Sequence, residues 1–388
     1  MKLLEYQAKE IFRRAGIRTM PGAVIREPAE ALETIRAAGL RYPVVLKGQV
    51  PVGGRGKAGG VQFAETEADV PSWAERLSAL EVRGCRPQAL LAEEKAEAAQ
   101  ELYLSILLDR QERAPLLVFS PDGGMDIEQT VREHPERAAR VPLDPVRGPE
   151  AYTIEYLISR TGADHRLKPA LLEVSRRLFA AFYDWNAMLL EINPLMLTAS
   201  GELIAADGKA ELDDNALSIG KLPDAAAWRE ASAEDPRVKE ARRFGFHFVP
   251  LDPKGTVAIM SNGSGMMMSC LDLVTKRGMR VGCCLDQGGG ATRERLKEAI
   301  RILFSDAGIR VLLVYIFGGI TRCDEVAAGI RDALTLLPTE CRVVVRIEGT
   351  RKEEAMQILR TLEDRVTAVS NVPEAVEALA ALHREAEQ

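Results

Sequence analysis

Histidine is scarce in this chain: four in 388 residues, at positions 134, 165, 247 and 383, without metal-ligand spacing. No zinc site is expected. Cysteine is scarce too, with six residues at 85, 270, 283, 284, 323 and 341 and no CxxC pair. Cys283 and Cys284 are adjacent within an apolar strand pattern, so the expectation is buried, reduced thiols in a cytoplasmic protein. Long hydrophobic runs are missing, and stretches such as VLLVYIF (311–317) are far too short to span a bilayer. Excess positive charge is missing as well. Lys and Arg number 51 against 57 Asp and Glu, a formal net charge of −6 that leaves no basic field for nucleic acid. The opening MKLLEYQAKEIFRRAGI has no apolar signal core. Its Leu3, Leu4, Ile11 and Phe12 interleave with charges at roughly helical spacing, so it reads as a docking helix.

What is present is ordinary globular composition, 46% hydrophobic and 28% charged, with length for two or three domains. Two grammars divide it. Up to about residue 230, helices mix with strands and hairpins. YPVVLK (42–47) and VQFAE (61–65) flank a glycine-rich loop; LLAEE (90–94) and LYLSILLDR (102–110) read as paired strands, continued by PLLVFS (115–120). Residues 150–160 and 169–185 carry apolar residues at helical intervals. From about 254 the order becomes strand, glycine turn, helix: TVAIM, VGCCLD, VLLVYIF, RVVVRIEGT and VTAVS each precede a helical pattern. That order predicts a doubly wound parallel sheet covered on both faces. The polar stretch 230–243 is the expected boundary, giving domains 1–238 and 239–388.

The loop QVPVGGRGKAGGVQF (49–63) places five glycines, Arg55 and Lys57 within eight positions. GRGKAG matches G-x-G-x-x-G, but that fingerprint opens a helix, and here a strand pattern follows. A dinucleotide dehydrogenase survives only if a helix follows Gly59. Lys57 is followed by Ala58, so the loop also fails as a Walker A motif. Two readings stand: a surface hairpin, or a lid whose amides and Arg55 meet phosphates while Lys47 reaches them as a point charge.

LLEINPLMLTASGELIAADGK (189–209) reads as a hairpin turning near Ser200–Gly201. A three-residue turn places Asn193 opposite Asp207 and Glu191 opposite Lys209; a two-residue turn shifts this by one. Either register puts Glu191 with Asn193, and Asp207 with Lys209, on one face. Asn193 and Asp207 suit Mg²⁺, which takes few protein oxygens and keeps other positions for water and phosphate. A cross-strand salt bridge on an exposed sheet face is the other reading. In the second half, the glycine turns feed helix N-termini that attract anions, or serve only as connections. In GGITRCD, Thr321 or Asp324 is a possible cap. Met266–Met268 reads as helix core.

LLEYQAKEIF, LKGQ…GGRGKAGGV, QELYL, GGMDIE, LLEINPL, DGKAELDDNAL, EDPR, GGGAT and IFGGITRCD, in order from residue 1 to about 350, closely resemble the succinyl-CoA synthetase (succinate–CoA ligase) β-subunit family. The resemblance implies an ATP-grasp domain followed by a flavodoxin-like CoA-ligase domain. It implies that Lys47, Gly54, Arg55 and Gly56 bind ATP/ADP or GTP/GDP, with Glu93, Ala96 and Glu101 at the base or ribose. Ala96 stands where the family often has Ser or Thr. Asn193 and Asp207 match its magnesium ligands, Glu191 an acid that orients a phosphohistidine, and Asn262, Gly319, Ile320 and Thr321 its organic-acid positions. The phosphohistidine and main CoA site belong to an α-subunit partner, in a heterodimer or α2β2 assembly, and none of the four histidines here lies beside a glycine loop. Three segments depart from the family: SNGSGMMMS (261–269), LDQGGGA (285–291) and PVGGRG (51–56). Gln287 and Ser264 add polarity near the acid positions, leaving open malate, citrate or a branched dicarboxylate as substrate. A non-catalytic nucleotide-binding scaffold is the remaining alternative.

Overall fold

The N-terminal helix, Glu5–Arg14, has an acid in its first turn and arginines in its last, matching the helix dipole. Gln7 reaches back to accept the Leu4 N–H at 2.8 Å, and Ile11 and Phe12 are fully buried. Burying a side chain of that size stabilises by about 1.5–3 kcal/mol. The helix is thus pinned to the core, as its interleaved apolar pattern predicts. The same burial carries Glu5 and Lys9 inside.

A computed structural model describes residues 1–124, 127–218, 222–232, 234–306 and 308–387. Met125 and Asp126 of the GGMDIE segment lie outside the described residues. The chain divides into two compact units, Met1–Ser232 and Ala233–Gln388.

The first unit holds two sheets. Strands β1 (Gly22–Ile25), β2 (Val44–Gly48), β3 (Val61–Ala64) and β4 (Leu90–Glu94) form an antiparallel sheet in the order β1-β4-β2-β3. Helices Ala31–Ala37 and Val70–Ser78 cover it, with Ile35, Val44, Leu46 and Leu77 in its core. The second sheet contains β5 (Gln100–Asp109), β6 (Ala114–Ser120), β7 (Ala139–Pro142), β8 (Ala187–Leu197), β9 (Leu203–Ala205) and β10 (Gly208–Leu212). It runs β10-β8-β5-β6-β7, with β9 also on β8. The expected pairing of LLAEE with LYLSILLDR is therefore corrected: β4 pairs β1 and β2, while β5 pairs β6 and β8. Both segments are apolar enough to pair with several partners, and the short link at residues 95–99 lets the chain change sheets between them.

The hairpin register follows the three-residue turn. Leu195 faces Ala205, Glu191 faces Lys209, and the Asn193 N–H donates to the Asp207 carbonyl at 3.4 Å. Ala206 and Asp207 lie between β9 and β10.

The second unit is a six-stranded sheet of β11 (His247–Pro250), β12 (Val257–Ser261), β13 (Val281–Asp286), β14 (Val311–Gly318), β15 (Arg342–Gly349) and β16 (Val366–Ala368). Its order is β11-β13-β12-β14-β15-β16. The five parallel strands have the 2-1-3-4-5 winding of flavodoxin-like folds, and apolar cores fill both faces. β11 adds an antiparallel edge that the apolar-strand rhythm did not signal, because His247–Pro250 has only four residues, opening on a histidine and closing on a proline.

Candidate functional site

Lys47 lies near the end of β2 and is buried. Its Nζ donates to Glu5 Oε1 at 2.8 Å and to the Ala206 carbonyl at 2.6 Å, and is 2.8 Å from Glu93 Oε2. The glycine loop turns back onto this point, Gly48 N–H bonding to the Gly60 carbonyl at 2.9 Å. β3 follows it, which removes the dinucleotide reading. Gly54 has φ +89°, a conformation that favours glycine, and Arg55 next to it points inward. Arg55 Nη1 donates to Glu5 Oε2 at 2.6 Å, and Nη2 to Asp207 Oδ2 at 2.7 Å.

Glu93, on β4, is buried; its Oε2 is 2.5 Å from Lys9 Nζ. Lys47, Arg55, Glu93 and Asp207 are thus brought into one cluster with Glu5 and Lys9: three carboxylates against three cations. Glu5 and Lys9 were missed as site residues. Their signal in the sequence is that both are charged residues on the docking helix at positions its apolar face carries inside.

The electrostatics follow from this packing. Burial opposes the charge on Glu5, but Lys47, Lys9 and Arg55 outweigh it and hold its carboxyl well below the usual range. For Lys47 burial again opposes, and Glu5, Glu93 and Asp207 prevail, raising it. Arg55 is raised in the same way by Asp207 and Glu5 against burial. Lys9 goes the other way: burial lowers it and its acids do not fully compensate. Asp207 is raised by burial first and then by Glu5, with Arg55 pulling it down. About 34% of the Asp207 side chain remains open, so its carboxyl sits at the mouth of the cluster. The expected exposed sheet face is corrected here: Asp207 is half-buried between two strands and ion-paired with Arg55.

Asn193 and Glu101 meet at Gly124. The Gly124 N–H donates to Asn193 Oδ1 at 2.7 Å, and a Cβ on Gly124 would lie 2.3 Å from Glu101 Oε2. The backbone bond from Asn193 to Asp207 joins this pair to the charge cluster. Glu191 accepts from the Tyr103 hydroxyl at 3.4 Å, two residues along β8 from Asn193. Gly56 lies in the open part of the loop and Ala96 is half-buried beyond β4.

Asn193 and Asp207 supply hard oxygens suited to Mg²⁺. Among the described residues no group of three or more His, Cys, Asp or Glu is placed to hold a metal. A magnesium ion bound mostly through phosphate and water needs no such group, so the residues present fit it.

In the second unit, Asn262 follows β12 and grips the end of β14. Its Nδ2 donates to the Phe317 carbonyl at 2.7 Å, and its Oδ1 accepts the Phe317 N–H at 3.1 Å. This is the crevice at the carboxyl ends of β12 and β14, where the strand order reverses and ligands bind in open α/β sheets. Gly319 and Ile320 project from it, Ile320 being 90% exposed, while Thr321 is buried. The Thr321 hydroxyl accepts N–H groups of Gly290 and Ala291 at 3.1 and 3.4 Å. It does not cap helix Cys323–Leu334, nor does Asp324, which pairs with Arg322 and Arg351. Ser264 donates to Asp286 at 2.6 Å, and Gln287 is fully buried with neither amide atom hydrogen-bonded. Met267 is core, whereas Met268 is exposed.

Comparison with known proteins matches an ATP-grasp domain over residues 2–197 and a CoA-ligase domain over 260–382. The succinate–CoA ligase [ADP-forming] β subunit of Rubrobacter xylanophilus is 38% identical over 359 residues, 92% of each chain. The GDP-forming β subunit of Thermus thermophilus is 39% identical over 92% of this chain and 93% of that one.

The chain belongs to the succinate–CoA ligase β-subunit family. Succinate–CoA ligases are acid–thiol ligases, and the relatives' names include both ADP- and GDP-forming members. ATP citrate lyase from Methanothrix soehngenii, solved with citrate and coenzyme A, superposes with a TM-score of 0.78 at 19% identity. It covers 97% of this chain and 99% of its own, a likeness of fold. No helix among the described residues is long and apolar enough to cross a membrane.

Proposed function

We propose that this chain is the nucleotide-binding β subunit of an NDP-forming succinate–CoA ligase. In that role it exchanges a phosphoryl group between NDP/NTP and a phosphohistidine on an α subunit, coupled to interconversion of succinyl-CoA and succinate. The observation that carries the reading is the convergence of Lys47, Arg55 and Asp207, distant in sequence, on one charge cluster. Lys47 and Arg55 supply donors for phosphate oxygens, Arg55 as a planar fork and Lys47 as a point charge. Asn193 and Asp207 would hold Mg²⁺, which, when bound, neutralises charge on the transferring phosphoryl group. Gly54 and Gly56 let the loop close on the nucleotide, with Ala96 and Glu101 on its base and ribose side; Glu93, expected there, is instead buried against Lys9 and Lys47 and supports the phosphate end. Glu191 orients the partner's phosphohistidine. Asn262 and the Gly319–Ile320–Thr321 loop contribute this subunit's part of the acid site, and CoA is bound mainly by the α subunit.

Calorimetric titration with Mg·ADP tests the reading directly. The isolated chain binds, and Asp207→Asn weakens binding by about 10–100-fold, or ~1.4–2.8 kcal/mol. Equal affinity in the variant rejects the metal assignment, and no binding by the wild type favours a scaffold role. A second reading, an acid more polar than succinate such as malate or citrate, is favoured by the buried, unbonded Gln287 amide.

A further inference from the structure

Every cation in the nucleotide cluster touches one residue, Glu5. Its Oε1 lies 2.8 Å from Lys47 Nζ and 3.1 Å from Lys9 Nζ, and its Oε2 lies 2.6 Å from Arg55 Nη1. An ammonium has three donors. Lys47 has three close acceptors: Glu5, Glu93 and the Ala206 carbonyl. A phosphate oxygen reaching Lys47 must therefore displace one of them. The Ala206 carbonyl belongs to the backbone, and Glu93, buried, would keep a single cation, Lys9 at 2.5 Å, if it gave up Lys47. Glu5 can be given up most readily, since Lys9 and the Gln49 amide, 3.1 Å from Oε2, keep its oxygens bonded. The same carboxylate occupies one edge of Arg55, and Asp207 occupies the other at 2.7 Å.

We propose that Glu5 is a counter-ion latch: its carboxylate competes with nucleotide phosphates for Lys47 and Arg55, and the Asp207–Arg55 bond couples release of the latch to metal binding. The proposal rests on the nucleotide reading above and names the residue that tunes it. When Asp207 turns to a divalent cation, Arg55 Nη2 loses its acceptor and is free for phosphate. When phosphate takes Arg55, Asp207 is free for the cation. Each ligand thereby raises the affinity for the other by the same factor. Without a metal, the cluster's three carboxylates balance its three cations, and a nucleoside diphosphate meets no net positive charge. Glu5 is thus a positioning residue, acting through two cations.

The test compares ADP affinity of the full chain in EDTA and in Mg²⁺, by calorimetry, for wild type, Glu5→Gln and Glu5→Asp. Glu5→Gln removes the competing charge, so metal-free ADP binds about tenfold tighter. Mg·ADP changes less, and the enhancement of affinity by Mg²⁺ shrinks accordingly. Glu5→Asp keeps the charge but withdraws it, giving about threefold tightening, and supplies the test should the Gln variant not fold. Glu5 variants that fold, shown by an unchanged circular dichroism spectrum, yet bind metal-free ADP no tighter than wild type overturn the latch while leaving the nucleotide reading standing. A wild type that binds no Mg·ADP overturns the nucleotide reading, and the latch with it.

Discussion

At the scale of single residues, the cluster around Glu5 sets a pH signature. An unfolded glutamate titrates near pH ~4.3, whereas burial, outweighed by Lys47, Lys9 and Arg55, leaves Glu5 well below that in the fold. Its stabilising contribution is complete above about pH 4.3 and is lost as pH falls through the lower folded value. Asp207 has the opposite sign. Its folded value is raised by burial and by Glu5, so it costs stability as pH rises above about 3.9. Between pH 5 and 3 the wild-type melting temperature should therefore fall more steeply than that of Glu5→Gln, as scanning calorimetry would record. Parallel slopes would mean that Glu5 titrates alike in folded and unfolded chains. The thiols give a second check. Burial pushes Cys283 and Cys284 up to about 12 and Cys270 to about 11, and of the six cysteines only Cys85 is not buried. A thiolate-trapping disulfide reagent at pH 8 should titrate one thiol in the native protein and six in guanidinium. Rapid labelling of more than one would contradict this packing.

Among elements, the ends of β14 and β15 matter most for the Gly319–Ile320–Thr321 loop, proposed above as part of the acid site. Gly318 and Gly349 pair directly, and a Cβ on Gly349, at φ +126°, would lie 1.7 Å from the Gly318 carbonyl oxygen. Gly349→Ala must either part the strands or shift the backbone that carries Gly319 and Thr321. Left-handed strain and overpacking together should cost about 2–4 kcal/mol, lowering the melting temperature by roughly 4–16 °C. A variant melting within 1–2 °C of wild type would show that the strand ends yield freely. The β8–β10 hairpin illustrates what local pattern can deliver. Its alternation and its turn near Gly201 set the register that brings Asn193 beside Asp207. Alternation did not reveal that β4 and β5 enter different sheets, because their apolar faces carry no mark of partner.

For the whole molecule, catalysis in the proposed role needs a second chain, since none of the four histidines is offered by a glycine loop. The isolated chain should show no acyl-CoA turnover with NDP. Addition of a histidine-bearing α subunit should restore it, and a panel of acids would then rank succinate against hydroxylated or larger dicarboxylates. Turnover by the isolated chain would refute the division of labour. A panel led by a hydroxy acid would assign the buried Gln287 amide a substrate partner.

Pattern along the chain was enough for the doubly wound second half, the strands flanking the glycine loop and the Asn193–Asp207 hairpin, while the ATP-grasp assignment of the first half and the nucleotide roles of Lys47 and Arg55 came from family resemblance. Alternation, helical periodicity and glycine placement are local properties, expressed within one element and its turn. Folding in three dimensions decided the rest: that Glu5 and Lys9, on the first helix, meet cations and acids from β2, the glycine loop, β4 and the β9–β10 link. A charged residue on an apolar stripe carries no record of its counter-ion, because an ion pair across long sequence separations exists only once separate elements pack. For the same reason Thr321 could be placed at a helix start from its position, yet its hydroxyl was committed to a neighbouring turn only by packing.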